Sequence, residues 1–311
     1  MAERSDPQRR PDTGGPPAPG GAPSSTGGRA RLLISCPDRP GIVAAVSRFL
    51  YERGANITDA DQHSSDPHGG TFFMRMAFEL AGDAALDALR VAFARDVASR
   101  LDMRWRMTDA RQGKRIAILA SKVEHCLQEL LWRRRAGEFE DAIVMVISNH
   151  DVLRPVVEGF DVPFHHLPIA PGQGSGAAQE TRVLGLLEGA ADVVVLARYM
   201  QILSPEFVAR YPERIINIHH SFLPAFSGGR PYHRAYERGV KLIGATAHYV
   251  TDALDQGPII EQDVVRVTHR HNVPELVRMG REIERRVLAR AVKLHLEDRI
   301  LVHGNKTIVF D

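Results

Sequence analysis

The chain has 311 residues, of which 44% are hydrophobic and 25% charged, and its formal net charge is +2. That length accommodates about two domains with ordinary cores, and near-neutrality gives no electrostatic reason for a nucleic-acid or anionic-membrane partner. The two cysteines, Cys36 and Cys126, show no C-x-x-C spacing, and no apolar run is long enough to span a bilayer, so a reducing, cytoplasmic setting is expected.

Residues 1–28 are dense in Pro, Gly, Ser and Arg with almost nothing apolar to bury, which predicts a disordered tail. Residues 29–111 form a first domain that reads strand, helix, strand, strand, helix, strand. Apolar residues 32–36 lead into Asp38-Arg39-Pro40-Gly41, and Ile42, Val43, Val46, Phe49 and Leu50 then make one helical stripe. Gly54 ends that helix, and residues 71–80 alternate with Phe72, Met74, Met76 and Phe78 on one face. Leu86, Leu89, Phe93, Val97 and Leu101 recur at helical spacing before a last strand from Arg104. This βαββαβ order, with residues 36–43 and Gly54-Ala55-Asn56-Ile57, resembles the ACT domain. The resemblance implies a ferredoxin-like regulatory module that pairs through its sheet and binds an amino-acid effector. Asp38, Gly41 and Asn56 are the candidate effector residues, and a homo-oligomer is expected.

In residues 112–311 strands and helices alternate, which predicts a doubly wound, mostly parallel sheet of Rossmann type. Strands are expected at 116–120, 142–147, 161–167, 192–197 and 215–218. Ser204-Pro205-Glu206 starts a helix with a hydroxyl cap and a proline in the first turn. An extended segment at 258–267, a helix over 274–296 and a hairpin around Gly304-Asn305 follow.

The chemistry concentrates in Asn217-Ile218-His219-His220 and in residues 248–260. Ile215, Ile216 and Ile218 make an apolar strand, so Asn217 and His219 share one side of it near its C-terminal end, where open α/β sheets bind ligands. An amide donor, an imidazole and a carboxylate, Asp255, are what reaction at a carbonyl carbon needs. A metal hydrolase is disfavoured, because there is no H-E-x-x-H and His219 and His220 are expected on opposite sides of a strand. No metal site is expected. Cys126 beside His125 reads as a core thiol.

These segments resemble the folate-dependent formyltransferases. In that family the loop matching residues 198–204 and the segment matching 250–255 form the pterin pocket, which implies Met200, Gln201, Leu203, Thr251 and Asp252 as substrate-binding residues. Within the group, a glycine-rich phosphate loop after the first strand marks the ribonucleotide transferases. Here Ser121-Lys122-Val123-Glu124-His125-Cys126 has no glycine and an acid in the expected first turn. The tRNA enzymes carry a further C-terminal domain, whereas this chain is expected to end soon after its last helix.

An ACT module followed by such a domain, together with Tyr199-Met200-Gln201-Ile202-Leu203-Ser204, Pro231-Tyr232-His233 and residues 244–250, resembles the formyltetrahydrofolate deformylase family. That resemblance implies hydrolysis of 10-formyltetrahydrofolate by Asn217, His219 and Asp255, with water as acceptor and no cofactor. It also implies a role in balancing one-carbon folate pools and supplying formate for purine synthesis. Formyl transfer to an amine and a non-catalytic folate or amino-acid sensor are the alternatives.

Overall fold

The computed structural model describes residues 28–66, 68–80, 85–139, 142–169, 176–225 and 230–311. The expected tail, up to residue 27, lies outside them. Gly28, counted with the expected tail, is already in the first strand, opposite Leu80.

The first unit runs β1 (Gly28–Pro37), α1 (Ile42–Tyr51), β2 (Asn56–Ser64), β3 (Thr71–Leu80), α2 (Ala85–Phe93) with a π-helical turn at Ala94–Ala98, and β4 (Arg104–Asp109). Its sheet order is β2-β3-β1-β4, antiparallel throughout. Phe72, Met74, Met76 and Phe78 join Val46, Phe49 and Phe93 in one core under the helices. The opposite face of β3 is buried as well: Phe73 and Arg75 are almost fully covered. They are covered by residues from the far end of the chain, so period-two alternation describes only half of the burial.

The second unit alternates regularly. It comprises β5 (Ile116–Ala120), α3 (His125–Arg135), β6 (Ile143–Ser148), α4 (Arg154–Glu158), β7 (Phe164–His166), α5 (Ala177–Leu187), β8 (Val193–Ala197), α6 (Pro205–Arg210) and β9 (Ile215–His219). Then follow α7 (Pro231–Arg238), β10 (Leu242–Tyr249), β11 (Ile259–Arg266), α8 (Val273–Leu296) and the hairpin β12 (Ile300–His303), β13 (Lys306–Val309). The seven strands lie in the order β11-β10-β9-β8-β5-β6-β7, with β5 to β9 parallel and β10 antiparallel to both neighbours. Strand order reverses between β5 and β8, and a crevice opens at their C-terminal ends.

The helix start read at Ser204 forms as expected, and the structure adds a second cap at α8. Ser204 accepts a hydrogen bond from the Phe207 amide and Pro205 opens α6. At α8, Asn272 and Glu275 form a reciprocal capping box that fixes the start of the longest helix. Two elements were not legible. Strand β10 hides in Gly244-Ala245-Thr246-Ala247, where a Cβ on Gly244 would stand 2.5 Å from the Asp263 carbonyl oxygen, so close pairing with β11 requires the missing side chain. Helix α7 is a polar run anchored by Tyr232 and Ala235.

The two units meet at Asp298, just beyond α8. Its carboxylate, 1% exposed, faces Lys114 Nζ at 2.8 Å, Arg106 at 3.3 Å and Arg31 at 3.5 Å, and accepts from Thr108 Oγ1 at 2.9 Å. Arg75 donates to the Asp298 and Glu297 carbonyls, and Phe73 packs edge-on against His303, ring centroids 5.1 Å apart.

Candidate active site

Strand β9 positions the central pair. Ile215, Ile216 and Ile218 are buried between β8 and β10, and Asn217 and His219 point into a cavity of about 250 Å³ at the strand's C-terminal end. Asp255 reaches the same cavity from the loop after β10, its backbone in the left-handed region at φ 56°. His219 Nδ1 lies 3.2 Å from Asp255 Oδ2. The imidazole beside it holds the Asp255 carboxyl below the usual range, against the opposing effect of burial. With Nδ1 turned to Asp255, His219 Nε2 is buried without a hydrogen-bond partner among the described residues.

A fourth residue completes this group. His248 on β10 stands opposite Asn217 in the antiparallel register, and its Nε2 is 3.2 Å from Asn217 Nδ2. Its Nδ1 lies 2.9 Å from the Tyr249 carbonyl oxygen, which only accepts, so Nδ1 carries the proton. Burial lowers the His248 pKa, leaving a neutral ring whose bare Nε2 accepts from the Asn217 amide. In the sequence His248 is only the first residue of the 248–260 segment, because its pairing with Asn217 depends on a strand register that no local pattern encodes. His220 also differs from expectation: it lies just past the end of β9, where alternation stops, and lines the same cavity as His219.

The rest of the wall comes from two loops. Met200, Gln201 and Leu203 after β8, and Thr251 and Asp252 after β10, all line the cavity, so the five substrate candidates are brought together with the trio. Ser121 Oγ, in the turn after β5, accepts from the Met200 amide at 3.1 Å and pins the first loop. Glu180 Oε1 accepts from the Ser204 amide at 2.9 Å and pins its end. Met200, Ile202 and Leu254 are exposed, an apolar rim suited to a flat ring.

Behind the cavity lies a buried charge network. Glu284 of α8, 1% exposed, accepts from Tyr232 Oη at 2.6 Å and faces His125 Nε2 at 2.9 Å and Arg198 Nε at 3.5 Å. Burial pushes the Glu284 carboxyl up, but the His125 contact and the Arg198 charge outweigh it and hold the group below its ordinary value. Ligand atoms of His125, Cys126 and Glu284 come within 4.8 Å of one another. Burial drives the Cys126 thiol well up, both Glu284 oxygens are engaged, and the adjacent guanidinium opposes a further cation. Glu124 is the residue before α3 and not part of its first turn.

The ACT candidates are not assembled in one place. Asp38 accepts from Ser64 Oγ and does not cap α1, a position taken by Gly41 at φ 92°. Asn56 is exposed at the start of β2. Gly41 precedes α1 and Asn56 follows it, so a helix about 15 Å long separates them.

A βαββαβ module joined to a doubly wound sheet with an amide–imidazole–carboxylate cavity defines a formyl-group enzyme with an ACT domain: residues 114–292 match the formyl transferase family and residues 30–90 the ACT domain. Formyltetrahydrofolate deformylase of Bacillus subtilis (strain 168) is 57% identical over 285 residues, covering 91% of this chain and 94% of that protein. The Synechocystis formyltetrahydrofolate deformylase is 51% identical, covering 90% and 98%. The crystal structure of a formyltetrahydrofolate deformylase from Pseudomonas syringae has a TM-score of 0.86 at 51% identity, covering 93% of this chain and 96% of that one. The chain belongs to the formyltetrahydrofolate deformylase family.

Proposed function

We propose that this chain hydrolyses 10-formyltetrahydrofolate to formate and tetrahydrofolate. The observation that carries the reading is the convergence of Asn217, His219 and Asp255 on one cavity, with His219 Nδ1 at 3.2 Å from Asp255 and its Nε2 unsatisfied. The folate is the substrate. Hydrolysis of an N-formyl bond is redox-neutral, so it calls for no electron carrier.

In this mechanism water bonds to the formyl carbon while its proton passes to the Asp255–His219 pair. The formyl oxygen becomes an oxyanion and takes a hydrogen bond from the free Nδ2–H of Asn217, a donor type worth roughly 3 kcal/mol in a transition state. The pair returns the proton to N10, the C–N10 bond breaks, and tetrahydrofolate leaves with formic acid, which releases its remaining proton to solvent as formate. Met200, Gln201, Leu203, Thr251 and Asp252 are assigned to the pterin ring, held by the two pinned loops.

The ACT module is proposed to take an amino-acid effector between copies of the chain. The separation of Gly41 from Asn56 supports a ligand site completed by a second protomer, and hence a homo-oligomer. No helix among the described residues is long and apolar enough to cross a membrane.

The test is incubation of the purified protein with 10-formyltetrahydrofolate and no acceptor, following formate and tetrahydrofolate. Stoichiometric formate is expected, with turnover severely reduced in Asp255→Asn and folate affinity retained. Folate binding without formate release would refute the reading.

A further inference from the structure

We propose that Arg198 is a carboxylate-binding residue of the catalytic cavity and that the carboxylate it takes is the formate released there, an inference that rests on the hydrolytic reading above. Arg198 follows β8 directly and lines the cavity with His219, His220 and Asp255. Its backbone sits at φ 62°, a left-handed conformation that suits glycine and strains an L side chain. Strain of this kind persists where the surrounding structure enforces it, commonly at functional sites.

The side chain has an incomplete set of partners. Among the described residues its one ionic partner is Glu284, at 3.5 Å, and the guanidinium makes no hydrogen bond; its Nε is buried and unsatisfied. Glu284 also serves His125 and Tyr232, so its charge is shared. The guanidinium of this cavity-lining residue thus keeps unused donors, and a planar carboxylate matches such donors in pairs.

The choice of formate follows from position and charge. Arg198 and His220 line the same cavity, and the His220 ring packs against Tyr232 at 6.3 Å between centroids, whose hydroxyl donates to the Glu284 carboxylate that faces Arg198. The His220 ring is 5.1 Å from the ring of His219, so Arg198 sits toward the reacting end. Water as acceptor yields an anion that this cation attracts. An amine acceptor would arrive in its protonated form against a like charge and leave as a neutral formamide.

The folate's own glutamate carboxylates are the other source of the same chemistry, and the experiment separates the two. ¹³C-formate, formamide and p-aminobenzoylglutamate are titrated by NMR into the full chain as wild type, Arg198→Gly and Arg198→Lys. Glycine accepts the left-handed backbone, and Arg198→Gln carries the same comparison if Arg198→Gly does not fold. Saturable formate binding to wild type, at least tenfold weaker in Arg198→Gly and intermediate in Arg198→Lys, with formamide indifferent to the residue, is the expected result. Equal formate affinity in Arg198→Gly, no formate binding to wild type, or loss of p-aminobenzoylglutamate with formate retained would overturn the proposal. Formate binding needs no turnover, so a wild type that binds formate through Arg198 yet does not hydrolyse the folate refutes the functional reading alone.

Discussion

The Nδ2 of Asn217 lies 3.2 Å from Nε2 of His248, and this contact decides which way round the amide points. His248 can only accept there, because its other nitrogen is committed to the Tyr249 carbonyl. The amide nitrogen is thereby held with one N–H left for the cavity. His248→Leu should lower kcat by about 10- to 100-fold, somewhat less than loss of the donor itself, with KM changed little. In an Asn217→Ala background the same substitution should have almost no further effect, since the two residues act as one unit. Additive losses in steady-state kinetics would show that His248 acts independently of the amide.

A second prediction concerns acid. Burial, with Arg198 beside His220 and Lys114 beside His295, pushes both imidazoles down to about 3. Unfolded imidazoles take up protons near pH 6.5, so between about 6.5 and 3 the unfolded state binds more protons than the folded one. Stability is therefore full above pH 6.5 and falls as pH drops, by about 1.4 kcal/mol per pH unit for each imidazole. Urea unfolding between pH 7.5 and 5.5 measures the slope, and His295→Gln should flatten it by one imidazole's share.

Asp298→Ala should be severely destabilising. It removes the buried carboxylate that faces Lys114, Arg106 and Arg31 and leaves three cations crowded between the two units, a loss of about 3–5 kcal/mol by analogy with broken buried pairs. Asp298→Asn keeps the shape and an acceptor for Thr108 but not the charge, and should lose nearly as much. Chemical denaturation of the two variants against wild type reads both values.

Gly280 gives a prediction of unusual sign. Alanine in a helix interior is favoured over glycine by about 1 kcal/mol, yet a Cβ at 280 would stand 2.0 Å from Tyr232 Oη. Gly280→Ala should therefore destabilise the fold and push Tyr232 off Glu284. In a Tyr232→Ala background the same substitution should become neutral or stabilising, and thermal unfolding of the four proteins closes the cycle.

The strand and helix alternation, the caps at Ser204 and the placement of Asn217 and His219 on one side of β9 are local properties, and local properties are what a single sequence carries. Asp255 was legible as the carboxylate the chemistry needs, but its 3.2 Å approach to His219 was not, because the loop after β10 brings it back to β9. The pairing of His248 with Asn217, the turn of His220 into the cavity and the network around Glu284 all depend on where separate elements land. Arg198 gave no signal, since a left-handed arginine looks in sequence like any arginine. Strand β10 was hidden by the small residues that its close pairing with β11 demands.

The cover on the outer face of β3 has a consequence for how the molecule is made. Arg75 finds the carbonyl of Asp298 across 223 residues of chain, and Phe73 waits longer still, for His303. The first module can build its helix-side core at once and pair Arg75 with Asp59 of its own sheet, but the face around Phe73 stays open until the C-terminal hairpin is synthesised. Its assembly is thus finished last although it begins first, and the interval is one in which the nascent chain depends on chaperones or on speed to keep that face from the wrong partner.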